Sequence, residues 1–374
     1  MNRPDSPLIL LCAGGTGGHM FPACALAEEL LLRGVRVAFA TDDRGQKYLG
    51  GMESVPQFLL SSAPYLPGLK GKWGVIKAIL AGYVEAYRLI RRLRPAVAVG
   101  FGGYPSAPPM FAALHCRIPT LIHEQNAILG MANILLAPFV DKISLSLFPT
   151  AKLKPKWVGK SHVTGNPVRA EIVALSGASY PDPSGVLQIL IVGGSQGAKV
   201  FSEVIPPALK SLPTEIKSRL KIAQQARAED LPDVVAKYQD SGLDVDVQPF
   251  FRDMPERLRG AHLLVARSGA STVAEVNVAG RPALYVPFPW NRDNQQKFNA
   301  EVVAAVGGAR VLLEQDMTPG SFRSALLSFL ENPERLRQAA EAAKTLAQPR
   351  AAQKLADDVI SLLVHEKKTC KSNT

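Results

Sequence analysis

Apolar residues along this chain fall in short, nearly unbroken runs, and glycine-rich or polar turns separate them. "LILLCA" (8–13) leads into "GGTGGHMFPACALAEELL", a glycine turn followed by the spacing of an amphipathic helix. The same succession restarts at "LQILIVGGSQGAKVFSEVIPPALK" from Leu187, with Thr16 and Ser195 at equivalent places in the two turns. Further strand patterns follow: "VRVAFAT", "AVAVGF", "PTLIHE" and "DKISLSL" in the first half, "LKIAQQ", "VDVQPF", "HLLVAR" and "PALYVPF" in the second. Helical patterns alternate with them. Strands that are apolar throughout, alternating with helices, predict parallel sheets covered on both faces. The expected fold class is therefore α/β, with two doubly wound, Rossmann-like parallel-sheet domains facing a central cleft. Ligands of such sheets bind beyond the carboxyl ends of the strands. "TGNPVRAEIVALSGASYPDPSG" (164–185) gathers Gly, Pro and Ser and reads as the linker.

Length and composition narrow the class. A chain of 374 residues, 47% hydrophobic and 20% charged, can bury two cores and is not a disordered polymer. The net charge of +11 is uneven, with +10 in residues 1–170 and +1 in the remainder. The first half is thus expected to face something anionic. No RNP-type motif or zinc finger supports nucleic acid, which leaves an anionic membrane surface. Cys12, Cys24, Cys116 and Cys370 have no CxxC spacing, so a reduced setting and no zinc site are expected. The longest uncharged stretch, Pro95–Cys116, carries four prolines and three glycines and cannot form a membrane helix. "LKGKWGVIKAILAGYVEAYRLIRRLR" (69–94) has seven basic residues and one acid, Glu85. Its stripe of Ile76, Leu80, Tyr83, Tyr87 and Ile90 is expected to face the domain core, while its basic residues and Trp73 suit anionic headgroups.

Neither glycine turn is a P-loop, because no Gly-Lys-Ser/Thr follows. The first contains Gly15 and Gly17, but Met20 stands where a dinucleotide site has its third glycine. Asp42 and Asp43, after the second strand, occupy the place of a ribose-binding acid and keep a nicotinamide site open. The second turn, Gly194, Ser195, Gln196 and Gly197, offers unpaired amides and a hydroxyl to a phosphate. In "RSGASTVAEV", Ser268 to Thr272 open a helix with Glu275 one turn in, either as a cap or as the acceptor for a ribose diol. Asp293, Asn294, Gln295 and Gln296 suit sugar hydroxyls or a plain helix cap. The acids of "DVD" (244–246) read as a metal pair or as a solvated strand edge. His19 ends the first turn. Its imidazole suits proton removal, and equally a structural hydrogen bond.

"GGTGGHMFPACALA", "GFGGYPSAPPM", "HEQNAILGMAN", "GNPVR", "VGGSQGA", "RSGASTVAE" and "DNQQKFNA" together resemble the motif series of the MurG-type transferases, in order from about residue 8 to about 310. That family moves N-acetylglucosamine from UDP-N-acetylglucosamine to undecaprenyl-diphospho-N-acetylmuramoyl-pentapeptide, making lipid II for peptidoglycan at the cytoplasmic face of the inner membrane. The resemblance implies a GT-B fold. It assigns residues 6–168 to the lipid-linked acceptor and the membrane, and residues 169–348 to the donor. A helix at about 349–366 would cross back to the first domain, and 367–374 would be an unstructured tail.

Carried over by motif, Gly194, Ser195, Gln196 and Gly197 would hold the diphosphate, with Arg169 as charged partner. Ala270, Ser271, Thr272, Val273 and Ala274 would line the nucleotide, with Glu275 on the ribose hydroxyls. The backbone at Phe251 would read the uracil edge, although Arg252 replaces an acidic residue common there. Gln295 and Gln296 would contact the donor sugar. Thr16, Gly17, Gly18 and Asn126 would border the reacting centre. His19 would be the base for the acceptor's 4-hydroxyl, with His123 and Glu124 as supporting or alternative groups. One in-line displacement with inversion is expected, with no cofactor and no tightly bound metal. A UDP-sugar epimerase of related fold and a non-catalytic sugar-nucleotide sensor are the other readings.

Overall fold

The computed structural model describes residues 6–62, 69–194, 197–289 and 293–371, with backbone only at 69–76 and 364–371. The chain divides into two compact units, residues 1–168 with 350–374, and residues 169–349.

The sheet of the first unit contains β1 (Leu8–Cys12), β2 (Arg36–Thr41), β3 (Gln57–Leu59), β4 (Val97–Gly100), β5 (Thr120–Glu124), β6 (Lys142–Leu145) and β7 (Ser161–Val163). All neighbours pair in parallel, in the order β3-β2-β1-β4-β5-β6-β7. Alternate residues of the central strands enter different cores. Ile9, Leu11, Val37 and Phe39 pack with Met20, Leu26 and Leu30 of the helix Gly17–Leu32. Leu8, Leu10, Ala38 and Ala40 pack with Ala86, Ile90 and Met110 on the opposite face. Both faces being covered is why these strands carry no polar alternation.

The final helix, Ala351–Lys371, belongs to this unit and buries Leu355, Ala356, Val359 and Leu362 in the first of those cores. It extends past the expected end at 366, so residues 367–371, expected as unstructured tail, are helical. Asp358 anchors it, accepting from Ser144 Oγ at 2.9 Å, Lys142 Nζ at 3.1 Å and His162 Nδ1 at 2.9 Å.

The second unit repeats the plan with β8 (Leu187–Val192), β9 (Leu220–Gln225), β10 (Asp244–Gln248), β11 (Leu263–Ala266), β12 (Ala283–Tyr285) and β13 (Ala309–Val311). These strands are also parallel, in the order β10-β9-β8-β11-β12-β13. In each sheet the winding reverses once, between β1 and β4 and between β8 and β11. Loops diverge at such a reversal and leave room for a ligand.

Three local expectations differ from the structure, and one left open is decided. The boundary between the units, 168/169, falls inside the segment read as a linker, but from Arg169 onward that segment is packed into the second unit. Tyr180 Oη donates to the His262 carbonyl at 2.6 Å, and His262 Nε2 lies 3.1 Å from the Asp182 carbonyl. In the helix Leu69–Leu93, Ile90 is buried as expected, but Leu80 is 60% exposed, beside exposed Ile79 and Val84. The Ile76 side chain lies outside the described residues. Of the two readings of Asp244 and Asp246, the strand edge is the one found: both lie on the edge strand β10, paired with Lys221 at 3.8 Å and Arg257 at 2.7 Å. Finally, the sequence pattern misses β3, β7 and β13, each a three-residue edge strand.

Candidate active site

In the first unit the loops after β1, β4 and β5 leave one edge of three adjacent parallel strands. The helix Gly17–Leu32 starts inside the glycine turn. Thr16 is its N-cap in extended backbone, but its side chain makes no capping bond. Thr16 and Gly18 are exposed at this helix start, where the His19 amide already donates to the Thr16 carbonyl at 3.1 Å. Asp42 secures the turn from beneath. Its Oδ1 accepts from the amides of Gly15 at 2.8 Å and Gly45 at 2.9 Å, and its Oδ2 from Ser62 Oγ at 3.3 Å. Buried and fully engaged, Asp42 is a support for the turn and not the ribose acid of a nicotinamide site.

His19 is half-buried against the loop after β4. A Cβ on Gly103 would lie 3.1 Å from His19 Cδ2 and 3.3 Å from Nε2, and the φ of +71° there disfavours any side chain. On its other side, His19 Nδ1 is 3.1 Å from Gln125 Oε1. Gln125 Nε2 is in turn 3.0 Å from His123 Nδ1, and His123 Nε2 is 3.0 Å from the Gly165 carbonyl. Burial pushes the His123 pKa down to about 4, with proximity to His19 adding to the shift and the Gly165 carbonyl opposing it. His123 is therefore neutral at neutral pH and unsuited to store a proton.

Glu124 is also buried, and its carboxylate is saturated. Oε1 accepts from the Asn126 backbone at 3.0 Å and from Asn126 Nδ2 at 3.1 Å, while Oε2 accepts from the Gly130 amide at 2.8 Å and Asn133 Nδ2 at 2.8 Å. Four donors leave no lone pair aimed at a substrate, so Glu124 organises the loop that carries Gln125 and Asn126. Neither alternative to His19 has the arrangement of a base.

The second unit brings together the loops after β8, β11 and β12 in the same way. Ser195 and Gln196 lie outside the described residues. Around them, Gly194 and Gly197 have φ of +83° and +68°, and the Gly197 amide donates to the Gly194 carbonyl at 3.0 Å. A Cβ on Gly197 would meet Arg227 Cγ at 2.3 Å, so glycine is required twice over there. The helix Ala270–Ala279 starts after β11 with Gly269 as N-cap and no side-chain capping bond. The capping expectation for Glu275 thus fails, because the side chain is directed elsewhere. Its carboxylate takes the fork of Arg169, with Nε to Oε1 at 3.2 Å and Nη2 to Oε2 at 3.4 Å. Burial raises the Glu275 pKa, and Arg169 only partly offsets the rise. Ala270, Ser271, Thr272 and Ala274 are half-exposed, whereas Val273 is buried and offers only its backbone.

Gln295 and Gln296 open the helix Gln295–Ala305 after Asn294, which holds a φ of +50°. Gln296 links two loops. Its Oε1 accepts from the Phe288 amide at 3.0 Å, and its carbonyl accepts from Ser268 Oγ at 2.8 Å. Phe251 is buried under the Arg257 guanidinium, 4.0 Å from the ring centroid, so only its backbone is available to a base.

This geometry belongs to a chain whose two halves match two family models. Residues 9–145 match the glycosyltransferase family 28 N-terminal domain, and residues 188–355 match the family 28 C-terminal domain. The UDP-N-acetylglucosamine–N-acetylmuramyl-(pentapeptide) pyrophosphoryl-undecaprenol N-acetylglucosamine transferase of Caulobacter vibrioides (strain NA1000 / CB15N) is 45% identical over 355 residues, 94% of this chain and 98% of that protein. The chain belongs to glycosyltransferase family 28. Among solved structures, Acinetobacter baumannii MurG superposes with a TM-score of 0.80 at 31% identity, covering 95% of this chain and 99% of that one. The UDP-GlcNAc 2-epimerase of Neisseria meningitidis reaches a TM-score of 0.66 at 14% identity, covering 95% of this chain and 100% of that one. That likeness shows a common GT-B-type fold and nothing of its chemistry.

Sequence reasoning did not find three supports of this family 28 site. Gln125 sits inside "HEQN" with no periodicity to mark it. Asp42 was legible only as a ribose acid. Arg267 precedes the helix Ala270–Ala279 and is buried between the rings of Phe201 and Phe288, 5.2 and 5.5 Å from their centroids. It donates to the carbonyls of Val286 at 3.0 Å and Pro287 at 3.2 Å, pairs with Glu314, and so fixes the loop after β12.

Proposed function

We propose that this chain is an inverting N-acetylglucosaminyltransferase that moves N-acetylglucosamine from UDP-N-acetylglucosamine to the 4-hydroxyl of undecaprenyl-diphospho-N-acetylmuramoyl-pentapeptide. The observation that carries the proposal is 45% identity, over nearly the full length of both chains, to a transferase bearing that name. The epimerase and sensor readings have no comparable support.

In this reading His19 Nε2 takes the proton of the acceptor hydroxyl as that oxygen attacks the anomeric carbon. The bond from that carbon to the β-phosphate oxygen breaks on the opposite side, inverting the centre, and UDP leaves. Its charge is met by the amides around Gly194 to Gly197, the start of the helix Ala270–Ala279, and Arg169. Glu275 accepts from the ribose diol, the Phe251 backbone meets the uracil, and Gln295 and Gln296 face the sugar. Thr16, Gly17, Gly18 and Asn126 hold the acceptor side. No tightly bound metal is required, so turnover survives chelation, and a complete, reversible loss would contradict this.

The acceptor is lipid-linked, and the first unit has a surface suited to a peripheral place at the cytoplasmic face of the membrane. Ile79, Leu80 and Val84 are exposed on the helix Leu69–Leu93, together with Arg88, Arg91 and Arg92. Among the described residues, no helix is long and apolar enough to cross a membrane. The direct test of the base is His19→Ala. UDP-N-acetylglucosamine affinity measured by calorimetry is expected to hold while kcat falls by about 10² to 10⁴. Near-normal turnover would remove His19 from the role.

A further inference from the structure

We infer that Gln125, itself held by His123, fixes His19 in the tautomer that carries its proton on Nδ1 and leaves the Nε2 lone pair free beside Gly103. The inference rests on the reading of His19 as the base. Gln125 and His123 are positioning residues in it, since both act through His19.

The polarity of the chain of contacts is set by two groups that can only accept. At the inner end, the Gly165 carbonyl lies 3.0 Å from His123 Nε2, so that nitrogen must carry the proton. Ser146 Oγ, 3.3 Å from the same nitrogen, can accept from it as well. With His123 neutral, its Nδ1 is then a lone pair. Gln125 must present its amide nitrogen to that lone pair, at 3.0 Å. The second fixed acceptor enforces the same orientation, because the Gln125 Nε2 position is also 3.1 Å from the His123 carbonyl. Turning the amide over would set two oxygens against each other there and a lone pair against the Gly165 carbonyl. With the amide nitrogen committed inward, Oε1 faces His19 Nδ1 at 3.1 Å, and an amide oxygen can only accept. His19 therefore donates from Nδ1, and Nε2 is the basic nitrogen. The lone pair emerges on the ring edge past which Gly103 runs without a side chain.

Histidine tautomers in solution favour the proton on Nε2, the wrong one for this role, so the relay has work to do beyond orientation. ¹⁵N-histidine-labelled protein in two-bond ¹H–¹⁵N correlation spectra reads the tautomer directly and independently of turnover. The expected result for the unsubstituted protein is Nδ1–H at His19. Gln125→Met preserves length and removes all three of its side-chain hydrogen bonds. It is expected to move His19 toward Nε2–H and to lower kcat about tenfold to a hundredfold, part of the full base contribution of about 10² to 10⁴. KM for UDP-N-acetylglucosamine is expected to stay within about twofold, a split that a general loss of structure would not give. His123→Asn supplies an oxygen in place of Nδ1 and is expected to keep Nδ1–H at His19, whereas His123→Leu is expected to lose it. An Nε2–H His19 in the unsubstituted protein overturns the inference, as does Gln125→Met with tautomer and kcat unchanged. Normal turnover in His19→Ala would sink the base reading and leave the tautomer assignment standing, so the two failures are distinguishable.

Discussion

Replacing Glu124 by Gln separates two roles that a buried acid beside a candidate reacting centre can have. The carboxylate accepts four hydrogen bonds, two on each oxygen, from Asn126, Gly130 and Asn133. Glutamine keeps one oxygen and turns an NH2 toward the other pair of donors. Two buried donors are left facing a donor, each at a cost of about 1–3 kcal/mol, so the substitution should destabilise the first unit by about 3 kcal/mol. For a unit of roughly 200 residues that corresponds to a fall in Tm of about 6–12 °C. The loop from Gln125 to Gly130 loses its anchor at the same time, so kcat should fall with it. Differential scanning calorimetry alongside a transfer assay measures both. Loss of turnover with an unchanged Tm would refute the reasoning, because it would mean that the carboxylate is used chemically and not as the hub of the loop.

Four further outcomes are expected. Glu275 has a folded-state pKa raised by burial, so its contribution to stability is present below the ordinary value of 4.5 and lost as pH rises through the folded value. Glu275→Gln should therefore melt above the parent at pH 7, with the gain vanishing on acidification below about 4.5, while calorimetry shows weaker UDP-N-acetylglucosamine binding. Asp358→Ala should destabilise the first unit by about 1–3 kcal/mol, read as a lower Tm, because it strands Ser144 and Lys142 beneath the final helix. The neighbouring Asp357→Ala, which loses an exposed pair with Arg33, should change stability by less than about 1 kcal/mol. Leu80→Glu combined with Arg91→Glu should reduce cosedimentation with vesicles containing anionic lipid, and unchanged binding would mark this face as ordinary solvated surface.

The fold class was legible because it rests on long-range repetition. Two strand–glycine turn–helix starts and a series of apolar runs admit few architectures other than paired parallel sheets. The edge strands were not legible. β3, β7 and β13 are three residues long and only partly covered, so "QFL", "SHV" and "ARV" carry no burial signature. The segment 164–185 misled for a related reason. Its glycines and prolines look like a tether, but Tyr180 and Asp182 find partners around His262, which lies far along the chain.

At the site, the sequence exposed groups that face outward and concealed those that hold them. His19 was visible as a histidine closing a glycine turn. That Gln125 and His123 set its polarity depends on two backbone carbonyls, which no sequence pattern encodes. Glu275 looked equally like a cap, and only the direction of its side chain toward Arg169 separates the alternatives. Val273 sits within a motif of half-exposed neighbours, and helical rotation alone turns it inward.

The central claim is transfer of one sugar between two identified substrates. The most direct test incubates the purified protein with UDP-N-acetylglucosamine and a short-chain analogue of undecaprenyl-diphospho-N-acetylmuramoyl-pentapeptide, following both by mass spectrometry. The expected result is an acceptor heavier by one N-acetylhexosamine, with UDP released in equal amount. Interconversion of the UDP-sugar without any heavier acceptor would contradict the claim.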